Sequence, residues 1–158
     1  MFALLEKVIK HVSAFLFAVA TLIAFAQVIF RYIFNSSLFW AEEFIRYLFI
    51  WMFFLGAAEA SRVGAHVGMD YVISKFDRKT KRVLHTLIDA ITLFLFCFII
   101  YLGMKLAIIN MAQVSPALEI PMGFIFLAIP IGTILMLMFT LRNTYRRFVS
   151  EDKEGKLC

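Results

Sequence analysis

The sequence predicts an all-α integral membrane protein with four transmembrane helices and both termini in the cytoplasm. Hydrophobic residues make up 63% of the 158 residues and the mean hydropathy is +0.87, well above the values of ordinary soluble domains. Four apolar segments are each long enough to cross a bilayer as a helix, since ~20 residues at ~1.5 Å each span its hydrocarbon core. The third observation is the uneven distribution of lysine and arginine, which indicates the orientation.

The four predicted spans cover about residues 12–30, 40–60, 84–109 and 121–141. We expect the first span to be an uncleaved anchor, because its apolar run continues well past a possible signal-peptide cleavage site. In the fourth span, Pro121 should open the helix and Pro130 should kink it, since proline lacks the N–H that continues a helix. Little chain remains for a soluble domain, so residues 1–158 are predicted to form one membrane unit.

Basic residues are concentrated at the N-terminus, between the second and third spans, and after the fourth span. These residues are Lys7, Lys10, Arg62, Lys75, Arg78, Lys79, Lys81, Arg82, Arg142, Arg146, Arg147, Lys153 and Lys156. The other two connections hold only Arg31 and Lys105. The positive-inside rule therefore places both termini and the middle connection in the cytoplasm. The same charges argue against a nucleic-acid-binding protein, because they lie beside spans, where they would face anionic lipid headgroups.

The connection between the second and third spans, residues 63–82, mixes apolar and charged side chains. Val67, Tyr71, Ile73 and Phe76 are interspersed with acidic and basic residues. We expect part of this connection to lie on the cytoplasmic membrane surface as a short amphipathic interfacial helix. The alternative is an irregular basic loop.

Charged residues at the start of the second span are the most informative feature. Glu42 and Glu43 precede Arg46 by four and three residues, so a helix brings all three to one face. The uncharged run from Tyr47 to Ala58 covers only ~18 Å of the hydrocarbon core. Because charges at membrane depth need partners, this helix is predicted to face other protein.

The remaining spans carry few polar side chains. His85 and Asp89, four residues apart in the third span, can share one helix face. A proton relay would need more titratable groups along the membrane, so we expect Asp89 to bond with His85 or a neighbouring helix. With no internal repeat and hardly any polar residues deep in its spans, the chain does not resemble a complete transporter.

Five short motifs in order along the chain suggest a family. They are Trp40-Ala41-Glu42-Glu43-x-x-Arg46-Tyr47, Trp51-x-x-Phe54-Leu55-Gly56-Ala57, Gly64-x-His66-x-x-x-Asp70, Glu119-x-Pro121 and Pro130-x-Gly132. With the four spans, this pattern resembles the small membrane subunit (DctQ-like, the Q component) of tripartite ATP-independent periplasmic (TRAP) transporters. The resemblance runs over nearly the whole chain, and the order and spacing of the motifs carry it.

The resemblance implies a role in a larger complex in the bacterial inner membrane. Such subunits pair with a large membrane subunit (the M component), which holds the substrate and sodium sites and moves by an elevator mechanism. A periplasmic binding protein delivers an organic acid such as a C4-dicarboxylate or a sialic acid. The small subunit would be part of the fixed scaffold, in contact with membrane phospholipids. We therefore expect no enzymatic activity, no catalytic or metal-binding residues and no cofactor.

On this reading, Glu42, Glu43 and Arg46 would form an ion-pair network near the periplasmic face. The network would hold the helix against the large subunit or help to dock the binding protein. Glu59 and Arg62 would pair at the cytoplasmic end. The alternative for both groups is a set of interfacial charges that reach water. The predicted packing or interfacial residues are Trp40, Tyr47, Trp51, Gly56, Glu119, Pro121 and Pro130.

Two other classes of membrane protein are alternatives to the TRAP small subunit. A redox membrane anchor would hold haem b between spans, with His11 and His85 as candidate axial ligands near the cytoplasmic ends of theirs. A small four-span exporter would work as a dimer with an essential membrane carboxylate. The first span contains no acidic residue, which argues against the exporter.

Overall fold

The computed structural model describes residues 2–63 and 78–155. Its helices are α1 (Phe2–Tyr32), α2 (Phe39–Val63), α3 (Arg78–Ile109), α4 (Gly123–Phe126) and α5 (Ala128–Gly155). In this part of the chain four segments are long and apolar enough to cross a membrane. The predicted all-helical architecture with four spans is confirmed. The interfacial helix is predicted within residues 63–82, of which residue 63 ends α2 and residues 78–82 begin α3; residues 64–77, between them, lie outside the described residues.

Three of the helices extend beyond the apolar segments read from the sequence. Helix α1 begins at Phe2 rather than near residue 12, α3 begins at Arg78, and α5 continues to Gly155. The added turns are rich in lysine, arginine and glutamate, which favour helix and are soluble outside the hydrocarbon core. Hydropathy therefore located the membrane-embedded part of each helix and missed its polar extension.

The fourth span is interrupted at Leu127, close to Pro130 where the sequence predicts a kink, and Leu127 itself keeps helical φ and ψ angles. Helix α4 ends at Phe126 and α5 begins at Ala128, so that Pro130 lies in the first turn of α5. The proline ring excludes the carbonyl group of Phe126, four residues earlier, and offers it no N–H. Pro121 precedes α4 by two residues and forms a bridge with Val114.

The long helices contact one another in the order α1, α2, α5, α3, so α1 and α3 are the outer members. The span that contains α4 and most of α5 is the most enclosed. In its apolar stretch of 18 residues, 39% of the residues are buried, compared with 6–11% in the corresponding stretches of the other three spans. Gly132 lets α5 approach α2 closely, because a Cβ atom there would lie 2.5 Å from the Cβ atom of Phe54. The buried cluster of Ile9, Leu55 and Phe139 joins α1, α2 and α5.

Candidate functional site at the two ends of the helices

A tight hairpin, residues 113–122, connects α3 to α4. Val114 and Pro121 form an antiparallel bridge, and the Ser115 N–H donates to the carbonyl oxygen of Ile120 at 2.9 Å. Glu119 closes the turn with a φ of 53°, in the left-handed region. The hydroxyl of buried Ser115 accepts a hydrogen bond from an N–H at the tip, which makes the turn compact.

Glu43 of α2 holds the tip of this hairpin. Its Oε2 atom accepts a hydrogen bond from the Ala117 N–H at 2.8 Å, and its Oε1 atom accepts one from the Tyr47 hydroxyl. The Ser115 side chain also lies close to the carboxylate. Hydrogen bonds to an ionised acceptor are among the stronger ones in proteins. One carboxylate therefore ties α2 to the connection between α3 and α4; we call this arrangement the Glu43 clasp.

The charges predicted to form one network are divided by the structure. Glu43 is half-buried and bonded to the hairpin, whereas Glu42 and Arg46 are exposed. Among the described residues, neither Glu42 nor Arg46 is in an ion pair, and Glu43 bonds to the hairpin in place of the expected Arg46. Adjacent residues on a helix point ~100° apart, so α2 presents Glu43 to the hairpin and Glu42 to the outside.

The aromatic residues predicted for this end have different surroundings. Tyr47, one of the predicted packing or interfacial residues, is part of the Glu43 clasp. Trp40 is partly exposed and packs edge to face with Phe44, with 6.3 Å between ring centroids. Trp51 is half-buried along α2, and Glu119 is exposed at the hairpin turn.

A charged cluster joins three helices at the opposite end. The Nε and Nη2 atoms of Arg62 donate to Glu59 Oε1 at 2.9 and 2.6 Å, as their spacing predicted. The Glu6 carboxylate of α1 accepts from Arg142 Nη1 of α5 at 2.8 Å and lies 3.8 Å from Arg62 Nη1. We call these four residues the Glu6 cluster.

Three consecutive residues of α5 contact three different helices. Arg142 donates to Glu6 of α1, and Asn143 Nδ2 donates to the last carbonyl groups of α2, at 3.0 and 3.1 Å. Thr144 Oγ1 donates to Asp89 Oδ2 of α3 at 3.0 Å, and Asp89 is buried. Steps of ~100° per residue direct neighbouring side chains to different sides of one helix. We call residues 142–144 the polar triplet.

Few of these contacts could be predicted from the sequence. Helix spacing predicted the Glu59–Arg62 pair, and Asp89 was predicted to bond with His85 or a neighbouring helix. No sequence pattern indicated Glu6, Asn143, Thr144 or Ala117. The only sequence signal for the polar triplet is a run of three polar residues directly after an apolar span.

The candidate haem ligands do not face one another. His11 lies on α1, where its Nδ1 atom is 2.6 Å from the Lys7 carbonyl oxygen, and its side chain is exposed. His85 lies on α3. Because α1 and α3 are the outer members, α2 and α5 lie between the helices that carry the two histidines.

Comparison with known proteins identifies a matching family and several relatives of this chain. Residues 10–150 match the family model described as tripartite ATP-independent periplasmic transporters, DctQ component. The chain is 40% identical over 103 residues to the C4-dicarboxylate TRAP transporter small permease protein DctQ of Rhodobacter capsulatus, covering 63% of this chain and 45% of that protein. It is 29% identical over 133 residues to a putative TRAP transporter small permease protein of Haemophilus influenzae, covering 84% of this chain and 82% of that one.

A third relative is much longer than this chain. The sialic acid TRAP transporter permease protein SiaT of Haemophilus influenzae is 26% identical over 133 residues, which are 84% of this chain and 22% of that protein. The family match includes the Glu43 clasp, the polar triplet and three residues of the Glu6 cluster. The family match and the four candidate membrane spans together identify the chain as a multi-pass inner-membrane protein. The chain therefore belongs to the DctQ component family of tripartite ATP-independent periplasmic transporters.

Proposed function

We propose that this chain is the small permease subunit that braces a larger permease during sodium-driven uptake of an organic acid. The larger permease would hold the substrate and sodium sites and move by an elevator mechanism. A periplasmic binding protein would deliver the substrate. The observation that carries the scaffold role is the pattern of polar contacts that tie the helices together at both ends.

The contacts at the two ends of the helices favour a subunit whose helices keep fixed positions relative to one another during transport. The polar triplet links α5 to α1, α2 and α3, and the Glu43 clasp links α2 to the 113–122 hairpin. A helix that moved against its neighbours would leave buried Asp89 or the Ala117 N–H without these bonds, which is costly away from water. Helices held together in this way suit a frame against which another subunit moves.

The length of one relative supports a large partner. The region similar to this chain makes up 22% of the sialic acid permease protein of Haemophilus influenzae. In that protein a segment like this one is therefore joined to a much longer stretch of permease. We infer that a separate large permease takes the place of that stretch for this chain.

The proposed orientation places the Glu6 cluster at the cytoplasmic face. Lysine and arginine are concentrated at both termini and between the second and third spans, which the positive-inside rule assigns to the cytoplasm. The Glu43 clasp and the hairpin then lie near the periplasmic face, where the binding protein arrives. Phospholipids would cover the remaining exposed apolar surface.

The proposed substrate class follows from the names of the relatives. Two of them are named for a C4-dicarboxylate and for sialic acid, and both compounds are carboxylates. We propose a carboxylate substrate for the complex, bound by the other subunits.

Reconstitution into proteoliposomes tests this proposal. The chain is co-purified with its large permease, and uptake of labelled organic acids is measured with the binding protein and an inward sodium gradient. We expect uptake that requires all three proteins and stops when the gradient is collapsed. Full uptake without this chain would contradict the scaffold role, and a haem absorbance band in the purified protein would favour the redox anchor.

A further inference from the structure

The exposed residues of α2 beyond its first two form a single narrow stripe. Within residues 41–62 six positions are exposed, and all the remaining positions are buried or half-buried. The exposed positions follow one another in steps of four and three residues: Glu42, Arg46, Phe49, Phe53, Gly56 and Ala60. Such steps keep one seam of a helix facing a second helix along its length. We call these six residues the α2 stripe.

The length of the α2 stripe matches the membrane. From Glu42 to Ala60 it runs ~27 Å at ~1.5 Å per residue, close to the ~30 Å of a hydrocarbon core. A transmembrane helix laid along it would be in contact across almost the whole bilayer.

One end of the stripe, at Glu42 and Arg46, does not suit lipid tails. Glu42 and Arg46 lie inside the second span, where charged side chains need partners, and the described residues provide no ion pair for either. They line an open groove of about 460 Å³ together with Ile45, Phe49, Ile50 and Phe53. A groove with one acidic and one basic residue at its mouth complements a helix with charged or amide side chains.

The other end of the stripe is shaped for close helix contact. A Cβ atom at Gly56 would meet no atom within 4 Å, so this chain's own packing does not require glycine there. Gly132, by contrast, is needed because Phe54 lies against it. Gly56 and Ala60 are four residues apart, the spacing at which small residues let two membrane helices approach closely.

The exposed face of α5 provides an internal comparison. Between Ala128 and Leu141 its exposed residues are Ile131, Ile134 and Leu141, which are all apolar, and lipid tails satisfy such a surface. Ile134 is only two residues from Gly132, which packs on Phe54, so Ile134 and Phe53 lie at similar membrane depth. Both faces are apolar at this depth, and the α2 stripe differs in its charged residues Glu42 and Arg46 and in its small residues Gly56 and Ala60.

We propose that the α2 stripe is the surface on which a transmembrane helix of the large permease packs. That helix places small side chains against Gly56 and Ala60, and polar or charged side chains against Glu42 and Arg46. This inference rests on the proposed function, which provides the identity of the partner. It adds which face of the chain the partner occupies.

The first experiment measures co-purification of the large permease with tagged variants of the complete small subunit in mild detergent. Gly56→Leu fills the open space without a clash inside this chain, so the isolated variant should unfold at the wild-type temperature. Its yield of large permease should fall about tenfold or more, as overpacking a close helix contact predicts. Ile134→Phe, the control on the α5 face, should keep the wild-type yield.

The second experiment is photo-crosslinking and does not depend on how Gly56→Leu folds. A benzophenone amino acid is placed at Phe53 or, as the control, at Ile134, in the assembled complex. We expect crosslinks to the large permease from position 53 only. Crosslinks from position 53 to lipid alone, or to a second copy of this chain, would overturn the assignment.

The two experiments distinguish a failure of the proposed function from a failure of the α2 stripe assignment. If the wild-type chain purifies without a large permease, the proposed function and the interface both fall. If the wild-type complex forms but Gly56→Leu retains its full yield of large permease, only the assignment of the α2 stripe is wrong.

Discussion

Replacing Glu43 with alanine should loosen the 113–122 hairpin. In the structure the carboxylate accepts hydrogen bonds from the Ala117 N–H, at 2.8 Å, and from the Tyr47 hydroxyl. Hydrogen bonds to a charged group contribute ~1.5–3 kcal/mol, and because Glu43 and Ala117 are only half-buried the effect should lie toward the lower end of that range. We therefore expect opening of the hairpin to become easier by about 2 kcal/mol.

Amide hydrogen exchange at Ala117 measures this opening directly. A change of ~1.4 kcal/mol is a factor of ten in an equilibrium constant, so about 2 kcal/mol lowers the protection of this amide about 30-fold. Tyr47→Phe removes one of the two bonds and leaves the bond to Ala117, so its effect should be smaller. The purified subunit in mild detergent is sufficient for the measurement.

Glu42→Ala is the matched control for this experiment. It removes the same charge from the neighbouring position of the same helix, but Glu42 is exposed and makes no hydrogen bond to the hairpin. Protection of the Ala117 amide should stay at the wild-type value. Equal losses in Glu42→Ala and Glu43→Ala would refute the reasoning, because the effect would then come from net charge near the helix start.

Three further changes test the packing and the polar contacts. Gly132→Ala should destabilise the subunit by ~1–3 kcal/mol, because its Cβ atom would lie 2.5 Å from the Cβ atom of Phe54. Gly56→Ala should be neutral or stabilising by up to ~1 kcal/mol, and thermal unfolding in detergent compares the two variants. Thr144→Val should cost ~1–3 kcal/mol by removing the hydrogen bond that Thr144 donates to the buried Asp89 carboxylate, and Thr144→Ser should retain most of the stability in the same assay. A double-mutant cycle of Glu6→Gln and Arg142→Gln should give a coupling of ~0.5–3 kcal/mol, and a coupling near zero would show that the ion pair does not hold α1 to α5.

The four spans could be predicted because the membrane limits what a chain can do. Backbone groups in hydrocarbon must bond within their own segment, so ~20 consecutive apolar residues indicate a helix wherever they occur. Hydropathy missed the polar turns that extend α1 and α5, because helix formation does not stop where the lipid ends. The interruption of the fourth span at Leu127 lies close to Pro130, where the sequence predicts a kink because proline has no N–H.

Local spacing predicted the contacts that are local in sequence. Glu59 and Arg62 are three residues apart on one helix, so their pairing follows from helix geometry. Glu43 bonds with the Ala117 N–H 74 residues away, and Arg142 bonds with Glu6 136 residues away. No periodicity within one helix carries information about such partners.

The sequence by itself determined the class of the protein, the number and position of its spans, and the family it resembles. It also determined which charges share a helix face. The tertiary structure decided which face meets a neighbour, so that Glu43 closes the hairpin while Glu42 and Arg46 remain on the exposed stripe. The physical reason is that lipid tails are as apolar as the helices, so hydrophobicity does not select one apolar face over another. Close packing at small residues and hydrogen bonds between distant positions make that selection, and both exist only once the helices are assembled.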